Sequence, residues 1–474
     1  MKDPEFKYSD LHCHPNLKSY GHSFDSGKSS HRSDAWFGRP PTFFAKLLNV
    51  LLGLTRFNQS DLTTMSRGGA NLVFVSLYPF EKGFFINAAG RGGFSAYLSN
   101  LITGIGFNRI RDIQTHGDYF ADLEKEYSHF LENKRQIYVG GDEKRWRPVE
   151  SESDLKEGIE KAKEILVCFS IEGAHVFNTG LGPFGRTTKE TEVLENVRKV
   201  KNWKYPPVYI TFAHNFFNDL CGHARSLEPI EKFVDQSQGL DTGFTPLGYR
   251  VLDELLSNKN GRPILVDLKH MSLRSRKEYF DHVTRGAKEN LPPTLVSHGA
   301  VNGMTWGEGK SKYPDRSEDF YRSDINFYDE EIELIGASGG LFAVQFDARR
   351  IARFDLVKKN WGDLFGEDDM QRAVNAIWLQ LKHIAIVLDQ NRLFSWGTTC
   401  IGSDYDGTID PLPGVWTAAQ FPGLSDGIQR KAEEFLKGPN PIRQERNKSI
   451  TSKEIADRFF FQNTVEFLQR YYQL

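Results

Sequence analysis

The sequence has no long hydrophobic run and no large excess of charge of one sign. The apolar stretch Leu47–Leu54 is far shorter than the roughly 18 apolar residues that a membrane-spanning helix needs. The chain has 60 basic and 62 acidic residues, and this near balance gives no sign of an anionic partner such as nucleic acid. We therefore expect no membrane span and no nucleic-acid partner.

Cysteine is also scarce, and no Cys-x-x-Cys pair occurs. The wide spacing of the four cysteines argues against a disulfide scaffold and is typical of a reducing compartment. Residues 1–8 are polar and carry no apolar signal core. The sequence thus predicts a soluble, cytoplasmic protein, although a trimmed leader would leave no trace. The four cysteines are Cys13, Cys168, Cys221 and Cys400.

Eight short apolar runs, each followed by polar or glycine residues, have lengths that suit strands better than helices. Helical patterns separate most of them. This alternation predicts an α/β protein with a (β/α)8 TIM barrel. The alternative is an open doubly wound sheet, but no G-x-G-x-x-G turn favours it. The eight runs are Ser9–His14, Asn71–Pro79, Ile165–Gly173, Pro207–Asn215, Pro263–Ser272, Pro293–Ala300, Gly340–Asp347 and Thr398–Gly407.

Helical spacing of apolar residues predicts eight main helices. A capping box at Thr187 and Glu190 marks one start, and Thr245 before Pro246 marks another. No clean linker interrupts the pattern, so residues 1–474 are interpreted as a single domain. The predicted helices are Arg111–Lys134, Ser153–Glu164, Thr187–Val200, Thr245–Leu256, Ser272–Glu289, Tyr328–Ala337, Asp368–Gln390 and Thr451–Tyr472. Four long segments after strands are predicted to be irregular loops: Pro15–Gly69, Phe216–Gly243, Asn302–Asp324 and Thr408–Ile450.

His12 and His14 lie two residues apart on the first predicted strand. Because side chains alternate along a strand, both imidazoles should point to one face and Cys13 to the other. Such a pair makes half of a metal site. Other metal-ligand or acid–base residues end later strands, where the active site of a barrel lies. They are Glu172, His214, His270, His298 and Asp404.

The number of these residues suggests two metal ions. His12, His14 and Glu172 would bind one, and Glu172, His270 and His298 the other, with Glu172 bridging. Imidazole and carboxylate ligands without thiolate are typical of zinc or another divalent transition ion. A metal pair would share a nucleophilic hydroxide.

Two further residues at the same rim have expected catalytic roles. Asp404 would be the general base and acid. His214, which also contacts substrate, would polarise the scissile carbonyl.

Three neighbouring residues receive structural interpretations. Asp406 follows Asp404 and is typical of a turn. Strict alternation along the fifth strand would turn Asp267 and Lys269 away from His270, towards the surrounding helices.

Several motifs in order are similar to those of the membrane dipeptidase family (renal dipeptidase, peptidase M19) of the amidohydrolase superfamily. The resemblance covers most of the chain. It implies a binuclear zinc (β/α)8 hydrolase that cleaves a dipeptide, and a homodimer is expected only on this ground. The motifs are Asp10–His14, Ile171–His175, Thr211–Asn215, Leu247-Gly248 followed by Val266–Ser272, Val296–Ala300, Gly402–Gly407 and Phe461–Thr464.

The chain departs from this family at two positions. The family's first strand usually reads His-x-Asp, whereas this chain has His14 in place of the acid. The family also has an arginine that binds the substrate carboxylate, where this chain has Ile325. Arg322 and Arg316 lie nearby in sequence and are candidate replacements.

Three functions follow as hypotheses. The first is a zinc-dependent hydrolase of amide bonds in dipeptides or N-acyl amino acids, acting through a metal-bridging hydroxide. The second keeps this chemistry but changes the small-molecule substrate to a lactone, cyclic amide, β-lactam or ester. The third, a non-catalytic binding protein, is disfavoured by the complete set of ligand-type residues.

Overall fold

A parallel sheet of eight strands forms the centre of the molecule, as seen in a computed structural model. The model describes residues 6–25, 30–86, 92–139, 141–161, 164–285, 291–307, 309–311, 317–364 and 370–474. The strands are β1 (Tyr8–Cys13), β2 (Ala70–Leu77), β3 (Gln136–Val139), β4 (Asp142–Pro148), β5 (Glu164–Glu172), β6 (Tyr209–Thr211), β7 (Leu265–Asp267), β8 (Leu295–Gly299), β9 (Leu341–Val344) and β10 (Thr399–Ile401).

The strand order β1-β2-β5-β6-β7-β8-β9-β10 contains all eight predicted strands, and every neighbouring pair is parallel. The first and last strands meet through two backbone hydrogen bonds. The amide of Asp404 donates to the carbonyl of His12, and the amide of His14 donates to the carbonyl of Tyr405, both at 2.9 Å. The predicted (β/α)8 barrel is confirmed.

Helices follow most barrel strands and pack on the outside of the sheet. They are α1 (Leu17–Ser23), α2 (Phe43–Leu52), α3 (Leu62–Arg67), α4 (Gly93–Thr103), α5 (Phe107–Thr115), α6 (Tyr119–Glu132), α7 (Glu152–Ile159), α8 (Glu190–Lys201), α9 (Pro246–Leu256), α10 (Leu273–Thr284), α11 (Asp329–Ala337), α12 (Phe354–Val357), α13 (Gln371–Gln390), α14 (Phe421–Lys437), α15 (Glu445–Lys448), α16 (Ser452–Asp457) and α17 (Asn463–Tyr471). Among the described residues, no helix is both long and apolar enough to cross a membrane.

The barrel strands pack between two hydrophobic clusters, one on each face of the sheet. Leu11, Phe74, Leu265 and Leu295 belong to the cluster inside the barrel. A larger cluster, which includes Val266, lies between the sheet and the helices. Because consecutive strand residues fall into different clusters, the alternation of a strand buried on both faces is preserved.

The structure corrects the sequence prediction at several elements. The predicted helix Arg111–Lys134 is two helices, because Asp118 caps a new helix by accepting from the amide of Ala121. The capping box at Thr187 and Glu190 does not form; Lys189 is the N-cap residue of α8. Thr245, by contrast, caps α9 as predicted, accepting from the amide of Gly248.

Segments expected to be irregular contain further elements. Pro15–Gly69 holds α1, α2 and α3, and Thr408–Ile450 holds the 17-residue helix α14. The antiparallel pair β3–β4 was not predicted, and β4 extends the sheet by pairing with the early part of β5. β4 begins Asp-Glu-Lys-Arg, so it lacks the apolar alternation that identifies a strand.

Candidate metal centre

The seven predicted site residues meet at the C-terminal rim of the barrel, where six strands end. Glu172 is the last residue of β5. His12 lies in β1 and His298 in β8, and the others follow the ends of β1, β6, β7 and β10. All seven are buried, and the Asp404 side chain, 12% exposed, is the most accessible of them. The structure therefore brings together every residue proposed from the sequence.

Two of these residues occupy a backbone conformation that L-amino acids rarely adopt. His270 has φ of 66° and Asp404 has φ of 58°. Such left-handed residues are energetically costly for side chains other than glycine. At His270 the conformation ends the alternation of β7 and turns the imidazole back towards the barrel axis.

This turn corrects the interpretation of Asp267 and Lys269, which were expected to face the outer helices. Leu265 points into the barrel, so Asp267 and Lys269 follow it inside. The Asp267 carboxylate accepts hydrogen bonds of 2.6 Å from the hydroxyls of both Thr211 and Ser297. It thereby links β6, β7 and β8 directly beneath the site.

Glu172 lies at the centre of the cluster. Its Oε1 is 3.4 Å from His12 Nε2 and 3.4 Å from His214 Nε2, and its Oε2 is 3.2 Å from His14 Nε2. The two nitrogens of His12 and His14 are 3.2 Å apart. One carboxylate thus touches two groups of imidazoles, as a bridging ligand would.

The other side of the cluster is formed by His270 and His298, whose Nε2 atoms are 3.2 Å apart. Their distances to Glu172 Oε1 are 3.9 Å and 3.6 Å. Asp404 lies across the cluster, with Oδ1 3.5 Å from His14 Nε2 and Oδ2 4.0 Å from His298 Nε2. Asp404 is therefore within reach of both groups of imidazoles.

Burial and mutual interaction give the cluster unusual protonation. Burial alone would raise the pKa of Glu172, but His214, His12 and His14 hold it well below its ordinary value. Burial would lower the pKa of His14, yet Glu172 and Asp404 raise it to about 10. Burial, assisted by neighbouring basic groups, lowers the pKa values of His270 and His298 far below normal. These two neutral imidazoles are in the form that binds metals.

The donor set fits divalent metal ions. Three overlapping groups place all their ligand atoms within 4.8 Å of one another. The Nε2 atoms face each other in two pairs, His12 with His14 and His270 with His298, so a cation placed between them could be bound by both nitrogens of a pair. The groups are His12, Glu172 and His298; His12, His14 and Asp404; and Glu172, His214 and His270.

Polar neighbours orient the ligand-type residues, as is usual around metal sites. The hydroxyl of Tyr209 lies 3.1 Å from His12 Nδ1, and that of Ser297 lies 2.8 Å from His298 Nδ1. Asp10 accepts from both the amide and the hydroxyl of Ser403, at 3.0 Å and 2.5 Å. This contact fixes the end of β10 just before Asp404.

Glu81 is a site residue that sequence reasoning missed. Its Oε2 lies 2.6 Å from His214 Nδ1, and its other oxygen accepts from the amides of Asn215 and Phe216. Together with Glu172, it raises the pKa of His214 to about 10 despite burial. Glu81 follows β2, which carries no ligand-type residue at its end, so only its position after a barrel strand could have identified it.

Two basic side chains border the cluster: Lys269, which the sequence analysis assigned to contacts with the outer helices, and Arg350, which it did not identify. The Lys269 ammonium is fully buried with no hydrogen-bond partner among the described residues. Burial and repulsion from Arg350 lower the pKa of Lys269 to about 7, and Asp404 acts in the opposite direction. The Arg350 guanidinium, which also interacts with Asp404, donates one hydrogen bond of 2.5 Å to the carbonyl of Ser226.

The candidate replacements for the family's arginine are less favourably placed. Arg322 is exposed, and Arg316 lies outside the described residues. Ile325 is buried, and the next residue, Asn326, donates to the carbonyl of Arg350 at 2.8 Å. The segment that carries isoleucine therefore contacts the segment that carries Arg350.

Asp406 and Cys13 have structural contacts. Asp406 pairs with Lys18 at 2.7 Å and accepts from the amides of Gln59 and Ser60, so it anchors the segment after β1 to that after β10. Cys13 packs in the core outside the barrel, as its expected outward direction requires.

A cavity of about 390 Å³ borders the site on the side of Glu81 and His175. Aromatic side chains form much of its wall, including those of Tyr119, Phe216 and Phe217. A space of this size can receive a small molecule.

Several solved structures are similar to this chain. A metallopeptidase from Rhodobacter sphaeroides, bound to a phosphinate mimic of the dipeptide L-Ala-D-Ala, has 13% identity and a TM-score of 0.51 over 98% of this chain and 99% of that one. The chain shares its fold with that metallopeptidase. A dipeptidase of family M19 has 14% identity and a TM-score of 0.49, covering 88% of this chain and 90% of its own.

The probable dipeptidase PvdM from Pseudomonas aeruginosa has 15% identity and a TM-score of 0.45, covering 88% of this chain and 89% of its own. No family model and no curated protein sequence matches the chain. At these identities the similarity concerns the barrel alone. The proposed chemistry must therefore come from the side chains of the metal centre.

Proposed function

We propose that this protein is a binuclear metal-dependent hydrolase that cleaves an amide bond in dipeptides or N-acyl amino acids. The observation that carries the proposal is the convergence of five histidines, Glu172 and Asp404 on one buried cluster. So many titratable groups are costly to bury unless a shared cation compensates them. Zinc is the expected ion because the ligands are imidazoles and carboxylates.

The residues divide into two sets around Glu172. His12 and His14 would hold one ion and His270 and His298 the other, with Glu172 shared between them. Bound divalent ions supply a nucleophilic water at neutral pH and polarise a carbonyl oxygen. As a metal ligand, His14 would be a neutral imidazole in place of an acid, so the first set would be less negative than with His-x-Asp.

Asp404 and His214 have separate proposed roles. Asp404 takes the proton of the attacking water and returns it to the leaving amine, a role that its greater exposure within the cluster supports. Glu81 holds His214 beside Glu172, where a protonated imidazole stabilises the negative charge that develops on the carbonyl oxygen.

The substitution Asp404→Asn tests this division of roles. Because Asn keeps the shape but cannot accept a proton, we expect metal content to stay at the wild-type value while kcat falls at least 100-fold. Metal content is measured by plasma mass spectrometry beside dipeptide turnover. Loss of one metal in Asp404→Asn would instead make Asp404 a ligand.

Substrate choice depends on what binds a free carboxylate. We propose that Arg350, with Lys269 beneath it, replaces the missing arginine at Ile325. Both cations lie near Asp404, and Lys269 has no hydrogen-bond partner among the described residues. An anionic substrate group would compensate the positive charge of Arg350 and favour the protonated form of Lys269, whose charge is otherwise costly to bury.

A panel of substrates distinguishes the hydrolysis of dipeptides or N-acyl amino acids from the second candidate function, the hydrolysis of a lactone, cyclic amide, β-lactam or ester. That candidate is favoured by the apolar Ile325. For a dipeptide, Arg350→Ala should raise KM at least tenfold and leave an uncharged amide or ester unaffected. Arg322→Ala is the matched control and should change neither. Equal turnover of charged and uncharged substrates by wild-type protein would favour the second candidate.

A further inference from the structure

Two short helices carry most of the exposed hydrophobic surface in the described part of the chain. Ten of the sixteen large hydrophobic side chains that are well exposed belong to α2 and α4. Isolated exposed apolar residues are ordinary, but clusters of them indicate a contact surface. The outward faces of α2 and α4 are called here the apolar faces.

Helix α2 is amphipathic, but its apolar side faces outward and its polar side faces the protein. Phe44 is 75% exposed and Leu52 is 64% exposed, whereas the polar Asn49 is the helix's only buried residue. Asn49 Nδ2 donates to Asp410 at 3.0 Å and to Thr55 at 3.1 Å, so the polar side of the helix is fixed against the body of the protein. The outward stripe is Phe44, Leu48, Leu51 and Leu52.

Helix α4 repeats this arrangement. Its two buried residues are the small Ser95 and Ala96, whereas Phe94 is 76% exposed. The outward residues follow the i, i+3, i+4, i+7, i+8 spacing of a continuous helical stripe. They are Phe94, Tyr97, Leu98, Leu101 and Ile102.

Both helices belong to the same sector of the barrel rim. Helix α2 lies in the segment after β1 and is tied through Asn49 to the segment after β10, and α4 follows β2. The strands β10, β1 and β2 are neighbours around the barrel. The helix after β1, α1, also contacts the α4–α5 turn, where Gly21 lies against Ile105.

The surroundings of α2 are basic. Arg32, Arg39 and Arg56 have no carboxylate partner among the described residues, and burial together with repulsion from the other two lowers the pKa of Arg39. Residues 35–60, which include α2, contain three basic residues and no acidic one. At the chain's average of 62 acidic residues in 474, a segment of this length would contain about three.

We propose that the apolar faces of α2 and α4 dock on the surface of an anionic lipid bilayer. The apolar stripes would enter the boundary between headgroups and acyl chains, as interfacial helices do. Arg32, Arg39 and Arg56 would pair with lipid phosphates, for which guanidinium geometry is suited. With 10 and 11 residues, α2 and α4 can lie in this boundary but cannot span a bilayer.

A second copy of the chain fits these observations less well. A two-fold interface would place the same arginines from both copies near one another, and like charges oppose association. A bilayer containing anionic lipid satisfies both the apolar stripes and the unpaired positive charge.

Vesicle sedimentation tests the proposal without reference to catalysis. Full-length protein should sediment with phosphatidylcholine vesicles that contain phosphatidylglycerol, and more weakly with phosphatidylcholine alone or at high salt. Phe44→Ser/Leu52→Ser and Phe94→Ser should each lower partitioning at least tenfold, because the lost apolar contact lies in the lipid. Arg32→Gln/Arg39→Gln should remove the preference for anionic vesicles.

Tyr138 is an exposed aromatic residue on β3, so Tyr138→Ser is the matched control and should partition like the wild type. Melting temperatures confirm that each variant folds. Wild-type protein that remains in the supernatant with anionic vesicles would overturn the proposal. It would also be overturned if light scattering showed a dimer that Phe44→Ser/Leu52→Ser dissociates while vesicle binding is unchanged.

Discussion

At the scale of single residues, the site depends on backbone conformations that break strand periodicity. His12 and His14 follow the alternation that places them together, whereas His270 reaches the site through a left-handed turn. Alternation from Leu265 places Asp267 and Lys269 inside the barrel, and the turn brings His270 to the same side. A periodicity argument could therefore identify His270 by residue type and place in the strand, but not the direction of its neighbours.

The first prediction at this scale concerns Glu81. Its contact with His214 positions the imidazole. Glu81→Gln should therefore lower kcat at least tenfold, while the number of metal ions bound per chain stays near the wild-type value. Steady-state kinetics and metal analysis of the same preparation measure both effects. The exposed Glu157→Gln serves as control, and wild-type kcat in Glu81→Gln would show that His214 needs no such partner.

A second residue-scale prediction concerns Glu126. Burial and the nearby Asp122 raise the pKa of its carboxyl group to about 8. Because its unfolded pKa is near 4.5, the folded protein holds this proton more tightly, and stability falls as pH rises from 4.5 to 8. The slope is at most about 1.4 kcal/mol per pH unit for one proton. Denaturant unfolding of Glu126→Gln across this range should show a flatter profile, and a slope equal to the wild type's would contradict the assignment.

At the scale of elements, two capping residues predicted from the sequence differ in the structure: Thr245 caps α9, whereas Thr187 does not cap α8. Thr245→Ala removes an observed cap of α9 and should cost about 1 kcal/mol of unfolding free energy. Thr187→Ala removes a capping residue predicted from sequence but not formed, so it should change stability by less than about 0.5 kcal/mol. Chemical denaturation measures both, and equal costs would contradict the observed start of α8.

The sequence predicted elements best where a strong period was present. All eight barrel strands were identified because each is a compact apolar run, but the charged β4 and the helices within long segments were not. Helix α2 has apolar residues at helical spacing, but it was missed because it lies within the long segment after β1 that was interpreted as a loop. Arg350 and Glu81 were missed because their roles come from contacts between segments distant in sequence.

At the scale of the whole molecule, the barrel brings together residues separated by nearly the full chain. His12 and Asp404 lie on adjacent strand ends that the closing contact between β1 and β10 joins. The barrel shares its fold with the metallopeptidase from Rhodobacter sphaeroides. Single-domain organisation, a homodimer and zinc as the particular ion stay predictions.

Ion binding should also stabilise the whole barrel, because a ligand that binds only the folded state raises its stability. Removing metal with a chelator should lower the melting temperature, and adding zinc back should restore it. A melting temperature that is unchanged by chelation, in protein shown to have lost its metal, would contradict a contribution of the ions to folding.

The most direct test of the metal centre is the metal content of natively purified protein and of Glu172→Gln. Plasma mass spectrometry should find close to two divalent ions per chain in the wild type and less than one in Glu172→Gln, because the shared carboxylate is lost. A wild-type protein that folds without divalent metal and takes up none from solution would contradict the account.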